Sequence, residues 1–526
     1  MDTDVTKLPS DTQTLQAMVT EQSATIASLT SQLAKLQHYV EQLLRARYGP
    51  RGEQLDPAQR MLFDRTAADE KKTSPPAGEV VRVKEHERRG GGRQELPEHL
   101  ERVVVEHDLM AEAKQCPGCG EERTRIGCEE SEQLEYEPAK LFVLRHRRWK
   151  YACRHCQEHV AIAPPAAKPI EKGLPGSGLL AALATGKYAD HLPLYRLEDI
   201  FFRSGVDLAR STLSRWALAT ADLVRPLYDF MVEAVLQSRA IHTDDTPMPV
   251  LDPTFAHTRT ARLWVYCGDW RHPFTVYDYT TSRKRDGPQQ FLNGYTGYLQ
   301  ADAYGGDDGI YAGGLVQQVL CWAHARRKFF EARIVQPDQA HAALAFIARL
   351  YAVEDELNGL RYTISETSDL VQVTRKWHRE RRRIRQRESL PILAEFKKWL
   401  ETTEHKVLPK SPVGQAIGYV LPRWDGLTRY CDDGCLAIDN NLSERMIRPC
   451  AIGRKNFLFF GSDDGGRAAA VLYSIMASAK ANQVEPFAYV RDLIDTFAND
   501  SEPDLTRLLP NIWIAAHPEA RRDWSR

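Results

Sequence analysis

Apolar positions along the chain follow two periodicities, separated by stretches that follow neither. At the start, Leu15, Val19, Gln22, Ile26, Leu29, Leu33, Leu36, Val40 and Leu43 recur at alternating steps of four and three. The residues between them are mostly Gln, Thr, Ser, Ala and Glu, so a lone helix there has little else to bury. The spacing predicts a coiled coil over 1–48, with polar Gln22 in its seam. Residues 49–98 read as a flexible linker, with Ser74-Pro75-Pro76, Gly90-Gly91-Gly92 and few large apolar residues. A compact segment over 99–165 precedes a mostly helical stretch, 166–236. Within that stretch Leu197–Phe202, a turn at Ser204-Gly205-Val206 and Ala209–Ala219 have the lengths of a helix-turn-helix. Its second helix would bury Leu213 and Trp216 and present Arg210, Ser211, Ser214 and Arg215, types suited to groove and phosphate contact.

The period then changes. Ala240–His242, Leu263–Cys267, Phe274–Tyr279, Tyr298–Ala301 and Leu315–Cys321 read as strands, β-branched and aromatic with Gly or Pro punctuation. A helix starts near Ala323, and helical patterning returns over 331–435. The expected segments are 237–330 with the strands, 331–435 with helical patterning, 436–480, and a C-terminal segment over 481–526.

Composition narrows the classes. At 526 residues the chain has room for three to four domains, and 43 % hydrophobic with 27 % charged residues suits an ordinary folded core. No apolar run approaches the length of a membrane span, and no basic-then-apolar start suggests a secretory signal. Ten cysteines in 526 are too sparse for a disulfide scaffold and point to a reducing cytosol. A net charge of −1 announces no nucleic-acid partner, so if the protein binds DNA, local patches must do it.

Two groups of residues carry chemistry. Cys116-Pro-Gly-Cys119 and Cys153-Arg-His-Cys156 are two C-x-x-C knuckles that together complete a tetrahedral sulfur shell for structural Zn²⁺. Asp244, Asp302 and Glu444 sit at the ends of two expected strands and on a short helix. Hard oxygen donors from separate elements suit two Mg²⁺ ions at a phosphodiester. The element order around them fits an RNase H-like α/β domain. Asp245 neighbours Asp244, but adjacent strand residues face opposite ways, so only one enters the site. Asn441-Leu-Ser-Glu444 also reads as a capping box, in which Glu444 serves only its own helix.

The heptads with Leu44-Arg-Ala-Arg-Tyr-Gly49, the knuckles CPGCG and CRHC, HTDDTPM, GYLQADAYGG, CWAHARRKFFEA, DNNLSERMIRPCAIGRKNFLFFGS and LPNIWIAAHPEA form a set. Taken together, the chain resembles the large transposase of the bacterial insertion sequence 66 family. The resemblance implies a DDE transposase: an RNase H-like catalytic domain with a helical insertion before the Glu, alongside the coiled coil, zinc-knuckle domain and helical DNA-binding segment. Asp244, Asp302 and Glu444 would be its metal-binding triad, and Asp245 stands where the family usually has Glu. Cys321-Trp-Ala-His324 matches a C-x-x-H element that shapes the site in related transposases. The implied partners are the element's terminal inverted repeats, target DNA, further copies of the chain and two small accessory proteins, on the bacterial nucleoid and away from any membrane. Arg445, Arg448, Arg454 and Lys455 surround Glu444 as candidate DNA contacts. Between Arg375 and Arg387 eight of thirteen residues are basic, and Arg381, Arg382, Arg383 and Arg385 are expected to touch phosphate. Two alternatives share the residues: a two-metal nuclease that cuts without joining, and a domesticated zinc-containing DNA-binding protein.

Overall fold

Strand-forming residues between 240 and 319 assemble into one five-stranded sheet. Its strands are β1 (Ala240–Val250), β2 (Arg259–Cys267), β3 (Thr275–Thr280), β4 (Gly297–Gln300) and β5 (Val316–Val319). Their spatial order is β3-β2-β1-β4-β5, with the first three antiparallel and β4 and β5 parallel to β1. The computed structural model describes residues 167–524 apart from 172, 253, 255–256, 285, 303–307, 312 and 365–369, together with 22–23, 141, 150–151 and 161–162. The heptad seam, the linker and both cysteine knuckles lie outside the described residues. Lys150–Tyr151 and Ala161–Ile162 pair antiparallel on either side of the second knuckle in sequence.

β1 runs eight residues past its expected end at His242, through Pro247 and Pro249. This is tolerated because β4 pairs only with Ala240–His242, which leaves the far half of β1 with β2 on one side alone. Phe460 covers the open side: its N–H donates to the Pro249 carbonyl and its carbonyl accepts the Leu251 N–H, both at 2.9 Å. Arg454 donates there too, to Thr246 Oγ1 at 3.0 Å and to the Pro247 carbonyl. Its expected DNA contact is therefore corrected: this guanidinium holds the edge of β1.

Helices pack with the sheet around two cores. On one side pack α1 (Ser177–Tyr188), α2 (Leu194–Arg203) and α3 (Arg210–Leu236). Gly205, at φ +87°, makes the turn between α2 and α3, and Leu213 and Trp216 are buried as expected. The second helix does not stop at Ala219 but continues to Leu236. Arg210 pairs with Glu198 at 3.0 Å, Arg215 is exposed and Ser214 is half-buried. On the other side lie α4 (Trp322–Ala332), α5 (Pro337–Ile364), α6 (Leu370–Ile384), a π-turn at Arg385–Ser389, α7 (Leu390–Glu404) and α8 (Pro412–Val420). They enclose a second core centred on Phe396, whose ring meets Trp322, Phe346, Trp399 and Trp424 at centroid distances of 5.0–6.2 Å.

The chain then returns to the sheet through α9 (Asn441–Phe457) and α10 (Asp463–Ala481). Small residues let α10 lie close on edge strand β3. Ser474 Oγ and Ser478 Oγ accept the Tyr277 and Thr275 N–H groups at 2.8 and 3.0 Å, which satisfies donors that a bare edge would expose.

Candidate active site

Register brings the first two carboxylates together. β1 and β4 are parallel neighbours whose last pair is His242↔Gln300, so two residues further along each strand stand Asp244 and Asp302. Alternation sends Asp245 the other way: its side chain, 4 % exposed, accepts from Arg262 and Arg283 at 2.9 Å each. Glu444 comes from the first turn of α9.

Buried amides fix where α9 begins. Gln300 donates to the carbonyls of Ala437 and Asp439 at 2.7 and 2.9 Å and accepts the Ala437 N–H at 3.2 Å. Asn440 donates to the Thr243 carbonyl at 2.8 Å, and its Oδ1 lies 3.2 Å from His242 Nδ1. Since Asn440 Oδ1 can only accept, the His242 Nδ1 carries the proton, and burial keeps this ring neutral by lowering its pKa to about 4. These two amides tie the segment before α9 to β4 and β1, and with it Glu444 to the two aspartates.

The capping box does not form around Glu444. Asp439 accepts the Asn441 N–H at 3.2 Å and the Tyr351 hydroxyl at 3.0 Å, while Glu444 turns toward His324, with Oε1 3.9 Å from Nδ1. His324 and Cys321 arrive from the start of α4, where the Trp322 N–H bonds the Ile438 carbonyl at 3.1 Å.

The electrostatics follow from the crowding. Burial, then the nearby Asp302 and Glu444 carboxylates, push the Asp244 carboxyl well above the usual aspartate range. Glu444 is raised to about 7 by burial, Asp439 and Asp302, with Arg327 and Arg448 opposing. Burial lowers the His324 imidazole against the pull of Asp302. Acids gathered in a partly buried pocket, each disfavouring ionisation of the next, match the demands of a cation site: the bound cation removes the repulsion.

Among the candidate DNA contacts, Arg448 and Lys455 on α9 are exposed and Arg445 is half-buried. Arg382 is exposed, and Arg383, 61 % exposed, pairs with Glu380. Arg381 and Arg385 are corrected. Arg385 is fully buried, bonds both oxygens of Glu354 at 2.7 and 2.8 Å, and donates to the carbonyls of Tyr430 and Leu436 at 2.7 and 2.9 Å. Arg381 adds bonds to Glu354 at 2.9 Å and to the Gly434 carbonyl at 3.2 Å. Arg385 is buried and fully engaged, and Arg381, its side chain 16 % exposed, turns to the same carboxylate; together they fasten the insertion to the segment that leads into Glu444. Sequence reasoning missed Gln300, Asn440 and this clamp.

Three family profiles match the chain. One described as "Transposase IS66 family" spans 172–468. One described as "zinc-finger binding domain of transposase IS66" spans 113–157 and includes all four knuckle cysteines, which supports a Zn²⁺ site there. The third, "Transposase C of IS166 homeodomain", spans 35–105. Protein y4jD of Sinorhizobium fredii, described as uncharacterized, is 30 % identical over 97 % of this chain and 98 % of its own. Protein y4qI of the same organism, described likewise, is 34 % identical over 81 % of this chain and 76 % of its own. Among the described residues no helix is long and apolar enough to cross a membrane. With the carboxylate cluster inside the matched 172–468 segment, the chain belongs to the IS66 transposase family.

Proposed function

We propose that this transposase cuts DNA at the ends of its element in a Mg²⁺-dependent reaction and joins the freed ends to target DNA. One observation carries the reading: Asp244 and Asp302 stand two residues past the last β1–β4 pair, and Glu444, at the start of α9, is near enough for Asp302 to disfavour its ionisation, while Asp245 is turned away. The sheet order, three antiparallel strands followed by two parallel to the first, supports an RNase H-like domain made of 237–330 and 436–480 with 331–435 inserted. Asp244, Asp302 and Glu444 would hold the ions, their oxygens suiting magnesium over softer metals. Bound there, a pair of divalent ions supplies activation of the attacking hydroxyl and stabilisation of the leaving oxygen in an in-line displacement.

The chain's own residues position the reaction. Gln300 and Asn440 hold Glu444 in register with the strands, and Asp439, tied to Tyr351 and Asn441, shapes the pocket wall. Exposed Arg448 and Lys455 line the approach for strand phosphates, and exposed Arg382 extends it on the insertion. Water is the nucleophile in cleavage and the freed DNA 3′-hydroxyl in joining, so no side chain bonds covalently to the strand. The N-terminal heptads supply self-association, and the small proteins encoded beside such elements are the expected accessory partners.

The test uses full-length protein, Mg²⁺ and duplex DNA carrying the inverted repeats that flank its own reading frame. The expected products are ends with free 3′-hydroxyls and, with a target plasmid present, covalently joined DNA. Cutting without joining under all conditions identifies a nuclease instead.

A further inference from the structure

Cys321 and His324 meet Glu444 in an arrangement that the carboxylate triad does not use. The Cys321 sulfur, a ring nitrogen of His324 and a carboxylate oxygen of Glu444 all lie within 4.8 Å of one another. His324 Nδ1 is buried without a hydrogen-bond partner, 3.9 Å from Glu444 Oε1. Cys321, 1 % exposed, accepts the Asn440 backbone N–H on its sulfur at 3.2 Å. Such an outer hydrogen bond orients a metal-binding thiolate. A thiol, an orphaned imidazole nitrogen and a carboxylate are the donors of a three-ligand zinc site with an open fourth position, and they are too soft a set for magnesium. Donors around tetrahedral zinc stand roughly 3.5 Å apart, so the cluster need close by only about 1 Å.

We propose that Cys321, His324 and Glu444 form a Zn²⁺ site distinct from the cysteine knuckles, and that zinc seated there withdraws Glu444 from Asp244 and Asp302. Zinc is then an inhibitor of the strand cleavage proposed above. The inhibition rests on that reading, whereas the binding stands apart from it.

Binding is tested with cobalt. Full-length protein carrying one equivalent of Zn²⁺, enough for the knuckles, is titrated with Co²⁺, and the near-ultraviolet thiolate-to-cobalt absorption is followed. Wild-type protein gains this absorption with the first cobalt equivalent. Cys321→Ser abolishes the absorption, and His324→Ala weakens cobalt affinity by more than about 100-fold, beyond what losing an outer-shell partner costs. No absorption in wild-type protein, or the same absorption and affinity in both variants, overturns the site. Should Cys321→Ser fail to fold, His324→Ala carries the same test, since its side chain is 31 % exposed and bears no packing load comparable to Cys321. Inhibition is read as the zinc concentration that halves each variant's own zinc-free cleavage rate. That concentration rises at least about tenfold in His324→Ala if the site is inhibitory, and an unmoved value overturns the inhibition. Absence of cleavage by wild-type protein in any Mg²⁺ concentration counts against the proposed function, and the cobalt titration still decides the site.

Discussion

Gln300 and Asn440 are the residues through which the sheet addresses Glu444, and each bonds backbone from a distant part of the chain. Replacing Gln300 by Leu leaves two carbonyls and an N–H buried without partners. We expect a loss of at least about 1–3 kcal/mol in unfolding free energy. A larger fall in cleavage rate than in DNA affinity is expected alongside it, because Glu444 shifts while the exposed arginines do not. Chemical denaturation and single-turnover cleavage check the two halves, and equal falls in both would mean that Gln300 serves stability alone. Asp244 and Asp302 were singled out in the sequence as carboxylates at the ends of expected strands, and the family resemblance chose them among other acids. Neither amide was, since the acceptors of Gln300 lie 137 and 139 positions away and no local pattern announces them.

At the scale of elements, periodicity located all five strands and the helical return after them, while the charge run on α6 was misread. Trp377, Arg381, Ile384 and Arg385 fall at steps of four, three and one, a single helical face, and two of them are buried apolar residues. Read by face rather than by density, that spacing turns Arg381 and Arg385 inward, where Glu354 meets both. Two predictions follow from the division. The exposed members, Lys376, Arg379 and Arg382, when changed to Ala, should flatten log K against log[salt] by up to roughly 0.9 per lost phosphate contact. Arg385→Ala should strip Glu354 of its two-bond partner, leave Arg381 alone to compensate the buried carboxylate, and cost up to about 3–5 kcal/mol, which a denaturation curve would report. The pH dependence has a definite sign. Burial alone would raise the Glu354 carboxyl, but the Arg385 and Arg381 guanidiniums outweigh it and hold it below the usual range. A depressed acid stabilises the fold above its ordinary value and loses that contribution as pH falls through the folded one. Wild-type stability should therefore drop on acidification below about pH 4.5, and Glu354→Gln, less stable at pH 7, should drop less over the same window.

For the whole molecule, the sheet's topology gathers the candidate site at one place: where β1 loses β4 as a neighbour and α9 comes in over the gap. The knuckles were legible from spacing alone and fall within the matched zinc-finger profile, while the heptads over 1–48 lie outside the described residues, and both make predictions for the full chain. Sedimentation should show concentration-dependent association that is lost when Leu29 and Leu36 become Asp. Metal analysis of reduced protein should find about one Zn²⁺ that survives removal of free metal and is lost on Cys116→Ser with Cys153→Ser. The central claim is that Asp244, Asp302 and Glu444 hold divalent ions at the scissile phosphate, with Asp245 on the opposite face in a structural ion pair. The most direct measurement is the Mg²⁺-dependent cleavage rate of four single Ala variants, each first shown to be folded. Loss of an ion ligand removes several kcal/mol of transition-state stabilisation, so Asp244→Ala, Asp302→Ala and Glu444→Ala should each fall by about 10³-fold or more. Asp245→Ala should lose stability yet keep most of its rate at a temperature where it is folded. A dead Asp245→Ala beside an Asp244→Ala that cuts at the wild-type rate would contradict the account.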